Sequence, residues 1–167
     1  YALNNAAPDA SYEDIENAYF ARLREVFKKS IAICDDLETR IGEVNPSPML
    51  SATIKHSLDT ARDAYHDGAE LVTTSILSGG LGTAVDSLAA IKYLVFDKKL
   101  TTIDNLREIL KNNWSDEKLR AEALSRPPKF GTGEQFTDNL AARICEEIRH
   151  FQSTKNSRGG YYKMHMH

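Results

Sequence analysis

The sequence predicts a mainly α-helical chain of about six helices with one or two short strands. Apolar residues recur at spacings of three and four through most of the 167 residues. Capping side chains, prolines and glycines bracket those stretches. Leu71–Leu77 and the run from Tyr161 alone read as extended. At 41% hydrophobic and 27% charged the composition is that of a globular domain able to bury a core.

Ser11-Tyr12-Glu13-Asp14 sets a hydroxyl three residues before a carboxylate, a helix-start signature. Ile15, Tyr19, Leu23, Val26, Ile33, Leu37 and Ile41 follow at helical spacing, and Phe20, Phe27, Ile31 and Cys34 widen the stripe. Gly42 is expected to stop this helix of about thirty residues. So long a helix, apolar over much of its girth, is expected to have partners on several sides and so to belong to a large protein.

Asn45-Pro46-Ser47-Pro48 reads as a turn, with Ser47 as cap and Pro48 at the first helical position. A second helix is expected from Met49 to about Tyr65, with Leu50, Ile54, Leu58, Ala61 and Tyr65 on one face, ended by His66-Asp67-Gly68. Leu71–Leu77 is rich in Val, Thr and Ile and reads as a buried strand or extended segment. The glycine turn Ser78-Gly79-Gly80-Leu81-Gly82-Thr83 leads into a helix from about Thr83 to Val95. Asp86 and Ser87 are expected in its first turn, where a carboxylate meets unpaired N–H groups, and Leu88, Ile91 and Val95 on its buried face. Asp86 and Ile91 are therefore expected to be structural.

Thr101-Thr102-Ile103-Asp104 caps a helix through Leu106, Ile109 and Leu110; Ser115-Asp116-Glu117 caps a shorter one that Pro127-Pro128 ends. Trp114 between them is expected to be a packing anchor. Lys129-Phe130-Gly131-Thr132-Gly133 is a glycine-hinged loop, with Gly131 a structural residue. The last helix, roughly Glu134 to Phe151, presents Phe136, Leu140, Ile144, Ile148 and Phe151. Tyr161 onward is expected to begin a strand. No internal domain boundary is visible, so residues 1–167 are expected to form part of a single domain.

Bulk charge and hydropathy exclude two partner classes. With 21 basic against 24 acidic side chains the chain is no basic nucleic-acid binder. No apolar run reaches the ~18 residues of a spanning helix. No basic-then-apolar leader opens the chain, and Cys34 and Cys145 are too few for a disulfide framework, so a reduced, cytoplasmic protein is expected. The chain opens on Tyr1 and closes on Tyr161-Tyr162-Lys163-Met164-His165-Met166-His167, so a piece of something longer is expected.

No catalytic constellation assembles from spacing alone. The turn at Ser78–Thr83 resembles a phosphate cradle but lacks both G-x-G-x-x-G and a following Gly-Lys-Ser/Thr, so tight packing of the turn accounts for its glycines. Cys145 and Glu147 lie about 200° apart around a helix. Cys34 has no histidine near it in sequence to activate it. His165 and His167 share a strand face but lack a third ligand, and His56 and His66 do not align, so no metal is expected.

The stretch Gly79-Gly80-Leu81-Gly82-Thr83-Ala84-Val85-Asp86-Ser87-Leu88-Ala89-Ala90-Ile91-Lys92-Tyr93 resembles the Ala-Asp-Ser-Leu-x-Ala-Ile-Lys helix of the glycyl radical enzymes, the pyruvate formate-lyase superfamily. Downstream, Pro128-Lys129-Phe130-Gly131 and Phe136-Thr137-Asp138-Asn139-Leu140-Ala141 are similar to that family's Pro-Lys-Tyr/Phe-Gly-Asn-Asp…Val-Asp-x-Leu-Ala. Ala2-Leu3-Asn4-Asn5, Val95-Phe96-Asp97 before Leu100-Thr101, and Arg158-Gly159-Gly160 match in order. Val85 departs from the family's usual Ala, and Thr132-Gly133-Glu134 from its Asn-Asp-Asp. Pro46-Ser47-Pro48-Met49-Leu50-Ser51 and Asp67-Gly68-Ala69 resemble the dehydratase and decarboxylase branch, with Asp67 in place of a glycine.

The resemblance implies an interior segment of the family's ten-stranded α/β barrel. It implies a radical-dependent lyase, of dehydratase or decarboxylase type, acting on a small organic substrate. The alternatives are a pyruvate formate-lyase-type acyltransferase, or a helical interaction module without chemistry. By the same resemblance the catalytic cysteine lies upstream and the radical glycine, in an Arg-Val-Ser-Gly-Tyr-like motif, downstream, so the segment is expected to be inactive alone, with no catalytic residue and no bound cofactor. The radical is expected to come from an S-adenosylmethionine-dependent activase, and the whole protein to be a homodimer. One face of the strand run should approach the central cavity. Thr74, Ser75 and Ser78 are the substrate-binding candidates, with Ser75 and its neighbours preferred.

Overall fold

The computed structural model describes residues 1–166. Its elements are α1 (Ala2–Asn5), α2 (Tyr12–Val44), α3 (Pro48–Ser51), α4 (Lys55–Thr60), β1 (Thr73–Ser78), α5 (Leu81–Ile91), a π-helical turn (Lys92–Asp97), α6 (Ile103–Lys111), α7 (Glu117–Ser125), α8 (Gln135–Arg149) and β2 (Tyr161–Met166). Among the described residues no helix is long and apolar enough to cross a membrane. By contacts the chain falls into two compact units, one of Tyr1–Arg24 with Gly79–Glu147, the other of Glu25–Ser78 with Ile148–Met166.

In the first unit α2 begins where the sequence places it. Ser11 Oγ accepts the Asp14 N–H at 3.1 Å, and the Asp14 carboxylate accepts the Ser11 N–H at 2.9 Å, a reciprocal capping box. Thr102 caps α6 by accepting the Asn105 N–H, and Asp116 caps α7 by accepting those of Lys118 and Leu119. Ile15, Val85, Leu94, Ile103, Leu106 and Ile144 form the centre of the core, each 2% exposed or less.

The helix after the glycine turn differs from expectation at both ends. It starts at Leu81, with Gly80 as its cap at φ 83°, so Asp86 lies beyond the first turn. A side chain added at Gly79 or Gly80 would meet nothing, so the turn is not tightly packed; Gly80 is needed for its left-handed backbone. At Lys92 the helix widens into a π turn, which takes about one residue more per turn. The buried side therefore passes from Leu88 and Ala89 to Leu94, leaving Ile91 and Val95 half-buried.

In the second unit α2 runs through Gly42 to Val44 without stopping. Gly42 is required by proximity instead: a Cβ there would lie 2.6 Å from that of His66. The single helix expected over 49–65 is broken in two. Ile54 is extended and Ala61 is left-handed at φ 54°. The cause is Asp63, whose carboxylate accepts the Ser47 N–H at 2.7 Å, the Tyr65 N–H at 2.9 Å and the Ser51 hydroxyl at 3.0 Å. Those bonds fold 61–65 back onto the start of α3, a competition with the helix that apolar spacing does not reveal.

β1 and β2 pair in parallel, with Thr74 opposite Tyr162, Ser75 opposite Lys163 and Leu77 opposite His165. Gly160, just before β2, lies against Val72; a Cβ there would collide with the Val72 carbonyl, so no side chain fits. Phe27 of α2 stacks on Phe151 with ring centroids 5.2 Å apart.

Candidate functional site

The two strands present two chemically different faces, because successive side chains alternate. On one face Tyr162 is fully buried, and its hydroxyl donates to the Ile31 carbonyl at 3.1 Å and the Asp35 carboxylate at 2.9 Å, both on α2. Burial, then the hydrogen bond and charge of Asp35, push the Tyr162 phenol well above its usual range, so it stays neutral. Thr74 lies beside it, 8% exposed, donating to Glu38 Oε1 at 2.5 Å and accepting from Asn156 Nδ2 at 3.0 Å. Arg158 Nη2 reaches the same Glu38 oxygen at 2.9 Å. Glu38 Oε2 and Arg158 Nε are buried without partners, so this ion pair is largely desolvated. Ile76 and Ser78 continue this face, each half-buried.

The opposite face carries Thr73, Ser75 and Leu77 beside Tyr161, Lys163 and His165, all exposed. Ser75 Oγ lies 3.5 Å from His165 Nε2. Leu77 is 67% and Tyr161 51% exposed, although parallel strands ordinarily have both faces covered. A cavity of about 520 Å³ opens along this side, with Thr73, Tyr161 and Lys163 in its wall. The three binding candidates are thus divided: Ser75 stands on the open face, Thr74 and Ser78 on the face that α2 closes.

The structural candidates sit in the first unit. The Asp86 carboxylate accepts the Phe130 N–H at 2.8 Å and lies 4.0 Å from Lys129 Nζ, so it ties α5 to the glycine-hinged loop and does not cap its own helix. Gly131 and Gly133 have φ of 83° and 81°, which glycine alone adopts without strain. Thr137, fully buried with its hydroxyl donating to the Lys129 and Glu134 carbonyls, closes that loop and was not singled out by its sequence position. Ile91 and Trp114 border an apolar cavity of about 340 Å³ between α5, α6 and α7.

The remaining nucleophiles and metal candidates do not converge. Cys34 is half-buried on α2, and burial, with Glu38 and Asp35 nearby, raises its thiol, the opposite of activation. Glu147 is engaged by Arg24 in a two-pronged pair of 2.7 Å bonds rather than with Cys145. Among the described residues no group of three or more metal-ligating side chains comes together; the pairing of His165 with His167 lies outside the described residues.

Comparison with known proteins gives the family. A model of the "pyruvate formate lyase-like" family matches residues 3–167. The chain belongs to that family. It is 30% identical over 135 residues to the trans-4-hydroxy-L-proline dehydratase of Clostridioides difficile, covering 80% of this chain and 17% of the relative. It is 32% identical over 123 residues to the (2S)-3-sulfopropanediol dehydratase of Klebsiella oxytoca, covering 72% and 15%. The hydroxyproline dehydratase of Clostridioides difficile, solved with trans-4-hydroxy-L-proline bound, superposes with a TM-score of 0.83 at 26% identity, over 99% of this chain and 23% of that one. The chain therefore spans less than a quarter of the relatives it matches. Within the glycyl radical enzymes it falls on the dehydratase branch, and its fold is a segment of the pyruvate formate lyase-like barrel.

Proposed function

We propose that the whole protein is a glycyl radical lyase, of dehydratase or decarboxylase type, cleaving a carbon–heteroatom or carbon–carbon bond of a small organic substrate. The family match over residues 3–167 carries this reading. It is supported by relatives whose names are those of dehydratases and lyases on small polar molecules. These residues contribute scaffold helices and two barrel strands within one domain. The chemistry belongs to a cysteine and a radical glycine elsewhere; the raised thiol of Cys34 supports assigning it no part.

Of the two strand faces, that of Ser75 meets the substrate chamber. Thr74 is engaged by Glu38 and Asn156, whereas Ser75 stands on a face with exposed apolar neighbours that a barrel interior would cover. An S-adenosylmethionine-dependent activase installs the radical, the protein works in the cytoplasm, and the full chain is a homodimer.

The test is anaerobic activation of the whole protein with a radical-generating activase and S-adenosylmethionine. A glycyl radical signal in electron paramagnetic resonance is expected from the whole protein, and none from residues 1–167 treated alike. A radical mapped to any of the nine glycines of this segment would overturn the division of roles.

A further inference from the structure

Neither strand of the pair contains an acidic residue, yet the open face holds two basic ones, Lys163 and His165, two positions apart on β2. The register sets Ser75 directly opposite Lys163, and the Ser75 hydroxyl lies 3.5 Å from His165 Nε2. One hydroxyl and two nitrogen-bearing side chains thus share one face of the sheet. The nearby charges do not neutralise them. In the cavity that Lys163 lines, Asp67 is held by Arg62 at 3.2 Å, and Arg158 is held by Glu38. Glu70 also borders that cavity but forms no ion pair with Lys163, and among the described residues no carboxylate pairs with it. With no acidic side chain on either strand, the row is positive, and a lysine ammonium on a face that a barrel encloses is stabilised there by an anion.

We propose that Lys163, His165 and Ser75 form an anion-binding row in the substrate chamber, and that the substrate carries a carboxylate or sulfonate there. This rests on the reading that the Ser75 face lines the chamber. Lys163 supplies the charge; the Ser75 hydroxyl and the His165 ring supply directed hydrogen bonds, which fix the orientation of the anionic end and leave the other end for the reaction.

The experiment uses the whole protein and small probes in matched pairs: glycerate against glycerol, and 2-hydroxyethanesulfonate against ethylene glycol. At least one anion of the two pairs is expected to raise the melting temperature while its neutral partner does not, and the pair that responds identifies carboxylate or sulfonate. Lys163→Met should weaken that anion's binding by about tenfold or more, and Lys163→Arg should keep most of it. Lys163 is exposed in the segment, so folding of both variants is checked by circular dichroism and by an unshifted melting temperature without probe. Equal response to charged and neutral probes, or response to neither anion, overturns the proposal. Ser75→Cys separates the two layers of the argument. If a bulky maleimide labels that cysteine in the folded whole protein, the chamber reading itself fails. If the cysteine is protected and the anions still have no effect, the anion row alone fails.

Discussion

The backbone N–H of Phe130 donates to the carboxylate of Asp86 at 2.8 Å, joining α5 to a loop 44 residues further along the chain. A family-like helix residue therefore works as a strut for a glycine-hinged loop. The same loop is closed from the other side by the buried Thr137 hydroxyl, which donates to the Lys129 carbonyl.

Removing the strut gives the first prediction. Asp86→Ala should cost about 1–2 kcal/mol, since an N–H to carboxylate bond is worth more than a neutral one but this site is partly solvated. Asp86→Asn keeps an acceptor oxygen and should cost less. In the whole protein Asp86→Asn should keep normal turnover per radical, with any loss seen as a lowered melting temperature. Lost turnover at an unchanged melting temperature and intact radical yield would make Asp86 a catalytic acid instead.

The desolvated pair between Arg158 and Glu38 gives the second. Their side chains are 16% and 15% exposed, and Glu38 also holds Thr74. Arg158→Met should therefore cost about 2–4 kcal/mol, because it leaves a buried carboxylate without its cation. The double variant Arg158→Met, Glu38→Leu should recover part of that loss. Chemical denaturation of the segment measures both, and a double variant less stable than the single would contradict the account.

Asp63 sets an acid limit on the fold around α3. Its carboxyl is held below the usual range, first by the N–H of Tyr65 and then by those bonds from Ser47 and Ser51 that outweigh its desolvation. A lowered folded pKa means that the stabilisation is fully present above the unfolded value of about 3.9 and is lost as pH falls through the folded one. Protection of the Ser47 and Tyr65 amides, taken relative to their intrinsic exchange rates, should fall over that window. Asp63→Asn should show the lower protection already at neutral pH, with no further loss of protection on acidification to pH 3.

Cys34 should alkylate slowly. Burial raises its thiol and the carboxylates of Glu38 and Asp35 add to that, so little thiolate is present at pH 8. Iodoacetamide should modify it more slowly than a free cysteine, and Asp35→Asn should quicken the reaction. A faster-than-free rate would reopen a chemical role for this residue.

Helix starts were legible wherever a short side chain caps its own helix. Ser11, Thr102 and Asp116 lie within three residues of the N–H groups they accept, so the signal is local. The strands were legible from their β-branched and aromatic content, to within two residues for β1. What failed were features set by distant partners. Asp63 breaks the helix expected over 49–65 by reaching Ser47, 16 residues back. The π turn at Lys92–Asp97 moves burial from Val95 to Leu94, and no residue in it announces the extra step. Likewise the candidate strand was found, but not which face is closed. That depends on Glu38, Asp35 and Arg158, whose positions in sequence say nothing of where α2 packs.

The most direct test is an experimental structure of the whole protein at side-chain resolution. The account predicts β1 and β2 as adjacent parallel strands of one barrel, with α2 on its outside and Ser75, Lys163 and His165 facing the lumen. Thr74 and Tyr162 facing the lumen, or either strand lying outside the barrel, would contradict it.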